Sequence, residues 1–355
     1  MIIIVLDKGC CLLQKSQKRM KRLTVLANVL AVGGEEVTKI KVAVLNDYQN
    51  VALSMADWSI LSDRVEPVIF NHHFSTEMEA AETLYDFPIV VAMRERMPFR
   101  STLFDRLPNL KLLVTTGEKN AAIDVKAASK HDVMVCGTAG STTGTAELAW
   151  ALLLGLARNI VRENQAMRTN DQWQSTVGVD IFGKKLGIIG LGKLGIQVAN
   201  IGKAFGMEVS AWSQNLTKEQ AEEAGVRYAS KDQLLSESDF ISIHLVLSPR
   251  TTDLIGDREL MLMKSTAYLI NTSRAAIVNQ PALIQALLQQ RIAGAGLDVF
   301  EVEPLPANHP YRTLPNVLAT PHVGYVTEDS YRLYFKHIIE DIAAFLQGEP
   351  VRRLN

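Results

Sequence analysis

Cysteine is scarce. The three in 355 residues, Cys10, Cys11 and Cys136, cannot build a disulfide framework, and none has the spacing of a metal site. That excludes a disulfide-stapled secreted domain and points to a reducing, cytoplasmic compartment. No apolar run reaches the roughly 18 residues a membrane span needs, and no internal repeat or low-complexity linker interrupts the chain. Charge of either sign is not in excess. Lys and Arg total 37 against 38 Asp and Glu, a formal net charge of -1, so nothing drives the chain toward nucleic acid or an anionic membrane. What is present is length and apolar content. With 355 residues, 47% of them hydrophobic, the chain is expected to form two domains, each with its own core.

Residues 1–38 stand apart. Lys8, Lys15, Lys18, Arg19, Lys21 and Arg22 face only Asp7, Glu35 and Glu36, and the apolar stretches 1–6 and 23–32 are short. A basic amphipathic leader is one reading. The simpler one is an extension without a role, because 40–45 (Ile-Lys-Val-Ala-Val-Leu) reads as a first strand that needs nothing before it.

From there, strands are expected at 40–45, 65–70, 87–92, 110–115 and 133–136. A second run follows at 186–190, 208–212, 240–244, 267–270, 294–299 and 317–320. Strands alternating with helical stretches imply an α/β fold with parallel sheets covered by helices on both faces. Two Rossmann-like, doubly wound domains are expected. One comprises 39–143 completed by 328–355, the other 144–327, and the ligand is expected in the cleft between them. Residues 145–158 are apolar nearly all round. They are read as a buried helix bridging the domains, capped by Thr145 with Glu147 at its positive end, and as the contact of a homodimer.

One stretch carries most of the functional information: Lys-Leu-Gly-Ile-Ile-Gly190-Leu-Gly192-Lys193-Leu194-Gly195. A strand pattern runs into G-x-G-x-x-G and then into a helical pattern. Gly190 permits the tight turn, Gly192 lets a pyrophosphate approach bare backbone, and Gly195 lets helix and strand pack closely. The N–H groups at the helix start, at Lys193 and Leu194, would face the phosphates. Ligands of such sheets bind at the carboxyl ends of strands. The polar residues following the later strands are His244, then Thr272 and Arg274, then Asp298 and Glu303, then His322.

In these residues the chain resembles the D-isomer-specific 2-hydroxyacid dehydrogenases. The resemblance covers about 40–347. It rests on the glycine fingerprint, Leu-Ile-Asn-Thr-Ser-Arg274, Gly-Leu-Asp298-Val-Phe-Glu-Val-Glu303-Pro and Thr-Pro-His322-Val-Gly. It implies hydride transfer between NAD or NADP and a small 2-oxo or D-2-hydroxy acid, with glyoxylate or hydroxypyruvate the leading candidates. Arg274 would grip the substrate with its planar fork. His322 would be the general acid/base, and Glu303 would hold its imidazole. Asp298 and the Thr272 carbonyl would bind the nicotinamide amide, His244 would line the adenosine pocket, and the backbone of Thr116 and Gly117 would take the substrate carboxylate. The remaining histidines, His72, His73, His131, His309 and His337, read as structural or surface residues.

The chain departs from the pattern in several places. Ser213 stands where an NAD site usually has an acid, and Lys218 is the nearest cation in sequence, which leaves NAD and NADP both open. Ala275 and Ala276 follow Arg274 where Gly is usual, and Asn279 stands where Asp is common. Glu118 follows Gly117, and Tyr325 replaces a glycine after His322. The family also includes corepressors that bind nucleotide as a switch. The alternative is therefore an NAD(H)-sensing binding protein with little turnover, because fold does not settle function.

Overall fold

The structure is a computed structural model and describes residues 38–355; the extension expected at 1–38 lies, but for its last residue, outside them. The chain divides into two compact units. One ends at Gly140 and is completed by Tyr331–Asn355; the other is Ser141–Ser330.

The first unit holds five strands: β1 (Ile40–Val44), β2 (Val65–Ile69), β3 (Ile89–Ala92), β4 (Leu112–Thr115) and β5 (Met134–Gly137). They form one parallel sheet in the order β2-β1-β3-β4-β5. β3 and β4 are buried at every position, as expected of parallel strands covered on both faces. Helices such as Glu77–Leu84 supply the cover, burying Ala80, Ala81 and Leu84. After the final helix, Glu328–Leu346, the chain ends against β5, with Gly137 N–H donating to Arg352 O and Leu354 N–H to Val135 O.

The second unit is a seven-stranded parallel sheet ordered β12-β11-β10-β9-β6-β7-β8. Its strands are β6 (Lys185–Ile189), β7 (Glu208–Trp212), β8 (Arg227–Tyr228), β9 (Phe240–Ile243), β10 (Tyr268–Asn271), β11 (Gly294–Leu297) and β12 (Val317–Ala319). The order reverses between β9 and β6. Such a switch point opens a crevice at the carboxyl ends of the strands, and the glycine fingerprint follows β6 there. Among the described residues no helix is long and apolar enough to cross a membrane.

The apolar helix runs Thr143–Ala157, two residues earlier than expected, with Thr142 as its N-cap. Thr145 is therefore not the cap; its hydroxyl donates to Gly324 O at 3.2 Å. Glu147 lies beyond the first turn and is exposed. The helix packs within the second unit on β10, β11 and β12, where a Cβ on Gly155 would come within 2.8 Å of Leu318 and one on Gly296 within 3.1 Å of Leu152. Its buried side chains include Trp150, Leu152, Leu153 and Leu156, each large apolar side chain contributing about 1.5–3 kcal/mol by leaving water. A second helix, Ile160–Thr169, follows between two left-handed residues, Asn159 (φ 51) and Asn170 (φ 53), and buries none of its residues.

Candidate active site

The fingerprint turn is shaped by contact as much as by dihedrals. Gly190 has φ +101, and a Cβ there would lie 2.5 Å from His244 O. A Cβ on Gly195 would overlap the carbonyl oxygen of Gly190, so helix and strand meet at backbone distance. Gly192 is different, because beyond its own backbone and its two chain neighbours no atom lies within 4 Å of where its Cβ would be. That open face fronts the start of helix Lys193–Ala204, which no side chain caps. Uncapped N–H groups and the positive end of the helix dipole suit a pyrophosphate.

Two further observations fit a dinucleotide. His244 Nδ1 and Thr272 Oγ1 are buried without any partner, although buried polar atoms are normally hydrogen-bonded. Both residues follow strands of this sheet, β9 and β10. His244 Nε2 is 2.9 Å from Ser242 Oγ, and burial pushes its pKa down to about 3, so it is a neutral hydrogen-bonding ring.

The three residues expected to do chemistry follow three adjacent strands. Beyond β10 the Asn271 side chain stitches a turn, donating to Arg274 O at 3.0 Å and accepting from Ser273 N at 3.0 Å. Arg274 projects from that turn, and its Nη1 donates to Ser273 O at 2.8 Å. Beyond β11, Glu303 Oε1 accepts Phe300 N–H at 2.9 Å while its Oε2 lies 2.7 Å from His322 Nδ1. One carboxylate oxygen is thus fixed to backbone and the other fixes the imidazole. His322, beyond β12, has left-handed backbone (φ 54), an uncommon conformation for a residue with a side chain that structure around it must hold. The Tyr325 ring stands edge-on to the imidazole, centroids 5.4 Å apart.

Asp298 at the end of β11 is buried. Its Oδ1 accepts Thr320 Oγ1 at 2.7 Å and Val323 N at 2.8 Å, and Oδ2 accepts Gly324 N at 2.9 Å. Burial pushes its carboxyl upward against those three donors. Asp298 therefore ties down the loop that carries His322, a role the sequence reading did not give it. Asn279 is accounted for locally: it caps helix Gln280–Leu288 and donates to Asp253 Oδ1 at 3.1 Å.

In the first unit, Thr116 and Gly117 follow β4. The Gly117 N–H already donates to Thr138 Oγ1 at 2.7 Å, and Thr116 Oγ1 accepts Arg94 N–H at 2.8 Å. Arg94, missed in the sequence, lies beyond β3 with left-handed backbone (φ 50), its guanidinium against Gly117. Glu118 is exposed. The other histidines carry structural bonds where partners are found: His309 Nδ1 accepts Tyr311 N, His337 Nδ1 accepts Ala139 N, and His131 pairs with Asp105. Among the described residues no group of three or more His, Cys, Asp or Glu is placed to hold a metal.

The pattern that defines the NAD-binding domain of the D-isomer-specific 2-hydroxyacid dehydrogenases matches residues 150–324. Glyoxylate reductase of Aeropyrum pernix is 41% identical over 256 residues, 70% of this chain and 76% of that protein. The chain belongs to the D-isomer-specific 2-hydroxyacid dehydrogenase family. D-3-phosphoglycerate dehydrogenase of Methanocaldococcus jannaschii is 34% identical over 278 residues, 77% of this chain and 52% of that protein. The crystal structure of phosphoglycerate oxidoreductase from Vibrio cholerae matches with a TM-score of 0.84 at 35% identity, covering 87% of this chain and 99% of that one. Membership of this family of oxidoreductases makes NAD(P) the cofactor, in keeping with the open Gly192 face and the unpartnered His244 and Thr272 atoms.

Proposed function

We propose that this dehydrogenase reduces a small 2-oxo acid, glyoxylate or hydroxypyruvate, to the 2-hydroxy acid with NAD(P)H, D-configured where the new centre is chiral. The observation that carries the reading is the His322–Glu303 pair, 2.7 Å apart with the far oxygen of Glu303 locked by Phe300 N–H. A neutral surface loop has no need of so fixed an imidazole. With Nδ1 held, Nε2 is the nitrogen that gives its proton to the carbonyl oxygen in reduction and takes it back in oxidation. The nicotinamide supplies the hydride when bound. Arg274, one strand further along, grips the carboxylate and carbonyl of the 2-oxo acid with its planar fork. In the first unit, the ends of β3 and β4 are assigned to the substrate carboxylate. Because the Gly117 N–H is engaged by Thr138, the guanidinium of Arg94, which also pairs with Glu95 at 3.5 Å, is the donor group proposed for that corner.

We also propose a homodimer, formed not by the buried helix Thr143–Ala157 but by the apolar surface that follows it, which includes Ile160, Val161, Trp173 and Phe182.

The test of the reaction is NADH and NADPH oxidation with glyoxylate, hydroxypyruvate, pyruvate and bulkier 2-oxo acids. Turnover with the small acids supports the reading. Tight nucleotide binding with no turnover on any of them would overturn it in favour of a nucleotide-sensing binding protein.

A further inference from the structure

The ribose end of the cofactor site holds an arrangement that sequence order conceals. Ser213 follows β7 where a carboxylate would bond the 2′-hydroxyl of NAD and repel a 2′-phosphate. Lys218, the cation nearest in sequence, is 3.8 Å from Glu222 in the same helical surface and so is already paired. Arg250 arrives instead from the loop after β9. Its Nε donates to Gln214 Oε1 at 2.9 Å and its Nη2 to Asn215 Oδ1 at 3.2 Å. In the sheet β9 and β7 flank β6, so these bonds span the carboxyl end of the fingerprint strand.

The arginine is anchored at both ends. Its loop is fixed by Ser248 N–H donating to Thr251 Oγ1 at 2.8 Å and by Thr251 Oγ1 donating to Val246 O at 2.8 Å. Its head is oriented by two neutral amides, which leave the positive charge uncompensated. A guanidinium carries five N–H donors, and two such bonds leave most of the fork available to an anion. Arginine is suited to phosphate because its donors match the oxygens in pairs.

We propose that Arg250, oriented by Gln214 and Asn215 and joined by the Ser213 hydroxyl, forms a 2′-phosphate site that makes NADPH the preferred cofactor of this chain. This deepens the dehydrogenase reading but is tested apart from it, by equilibrium binding without any 2-oxo acid. Nucleotide fluorescence titration should show NADPH bound more tightly than NADH, and adenosine 2′-monophosphate should compete better than the 5′-monophosphate. Arg250→Ala should weaken NADPH on the order of 10- to 100-fold, the worth of one or two charge-assisted bonds, and far more than it weakens NADH. Arg250→Lys should recover part of the loss. Ser213→Asp should reverse the preference, and added salt should narrow it in the wild type. Equal losses of NADPH and NADH in Arg250→Ala would reduce Arg250 to loop support. A wild type that binds NADH more tightly would overturn the proposal outright. Failure of the reaction reading would look different, as tight NADPH binding with no turnover.

Discussion

His322 illustrates how a side chain is made ready by its neighbours. Glu303 fixes Nδ1, Tyr325 walls one edge, and Asp298 pins the loop on either side through Thr320, Val323 and Gly324. Replacing the imidazole with an amide of similar reach, His322→Gln, removes the acid but keeps a hydrogen-bonding group. Steady-state kinetics should show kcat lowered by about 10² to 10⁴, the usual worth of a positioned acid, with nucleotide affinity little changed; near-wild-type turnover would remove His322 from the mechanism. The placement of Arg274, Glu303 and His322 just past β10, β11 and β12 was readable because each lies in a short motif that follows an apolar run. Arg94, Arg250 and the bonding of Asp298 were not. Their meaning depends on partners such as Gly117, Gln214 and Gly324, which no local pattern brings together.

The strands were legible as elements because parallel, doubly covered strands read as near-continuous apolar runs, as in Ile-Val-Val-Ala of β3 and Phe-Ile-Ser-Ile of β9. β8 was not, since it is two exposed residues on the sheet edge, too short for a pattern. Helix Ile160–Thr169 escaped because it turns no residue into a core. The fingerprint element offers a paired test. Gly195→Ala sets a methyl against the Gly190 carbonyl, a backbone atom that cannot step aside. It should cost about 1–3 kcal/mol by overpacking, seen as a lowered Tm. Gly192→Ala meets nothing and should leave Tm unchanged while weakening nucleotide binding; the opposite ranking would mean that the roles are misassigned. The final helix carries another test. Asp341 is fully buried, and burial, opposed by Arg352 at 3.0 Å, pushes its carboxyl up to about 7. Its folded value exceeds the unfolded one, so its contribution is full below about 4 and is lost as pH rises through about 7. Asp341→Asn should therefore gain Tm relative to wild type as pH climbs from 5 to 8; a difference that is flat in pH would show that Asp341 does not titrate there.

For the molecule as a whole, the surface between residues 160 and 182 has the strongest consequence. Val161 is 57% exposed, Trp173 73%, Val177 95% and Phe182 81%, a density of bare apolar side chains unusual for a free monomer. Sedimentation should give a dimer, and Trp173→Glu combined with Phe182→Glu should give a monomer that keeps its Tm within a few degrees; a monomeric wild type would refute the proposed pairing. Chain connectivity has its own outcome. Ser141–Ser330 is inserted within the other unit, whose last piece, Tyr331–Asn355, includes the segment that lies against β5. On the ribosome the inserted unit is therefore synthesised in full while its host still lacks a helix and an edge. Since domains generally fold as units during synthesis, the nucleotide-binding half can close first, and the earlier-made half must wait for Tyr331–Asn355 to be translated.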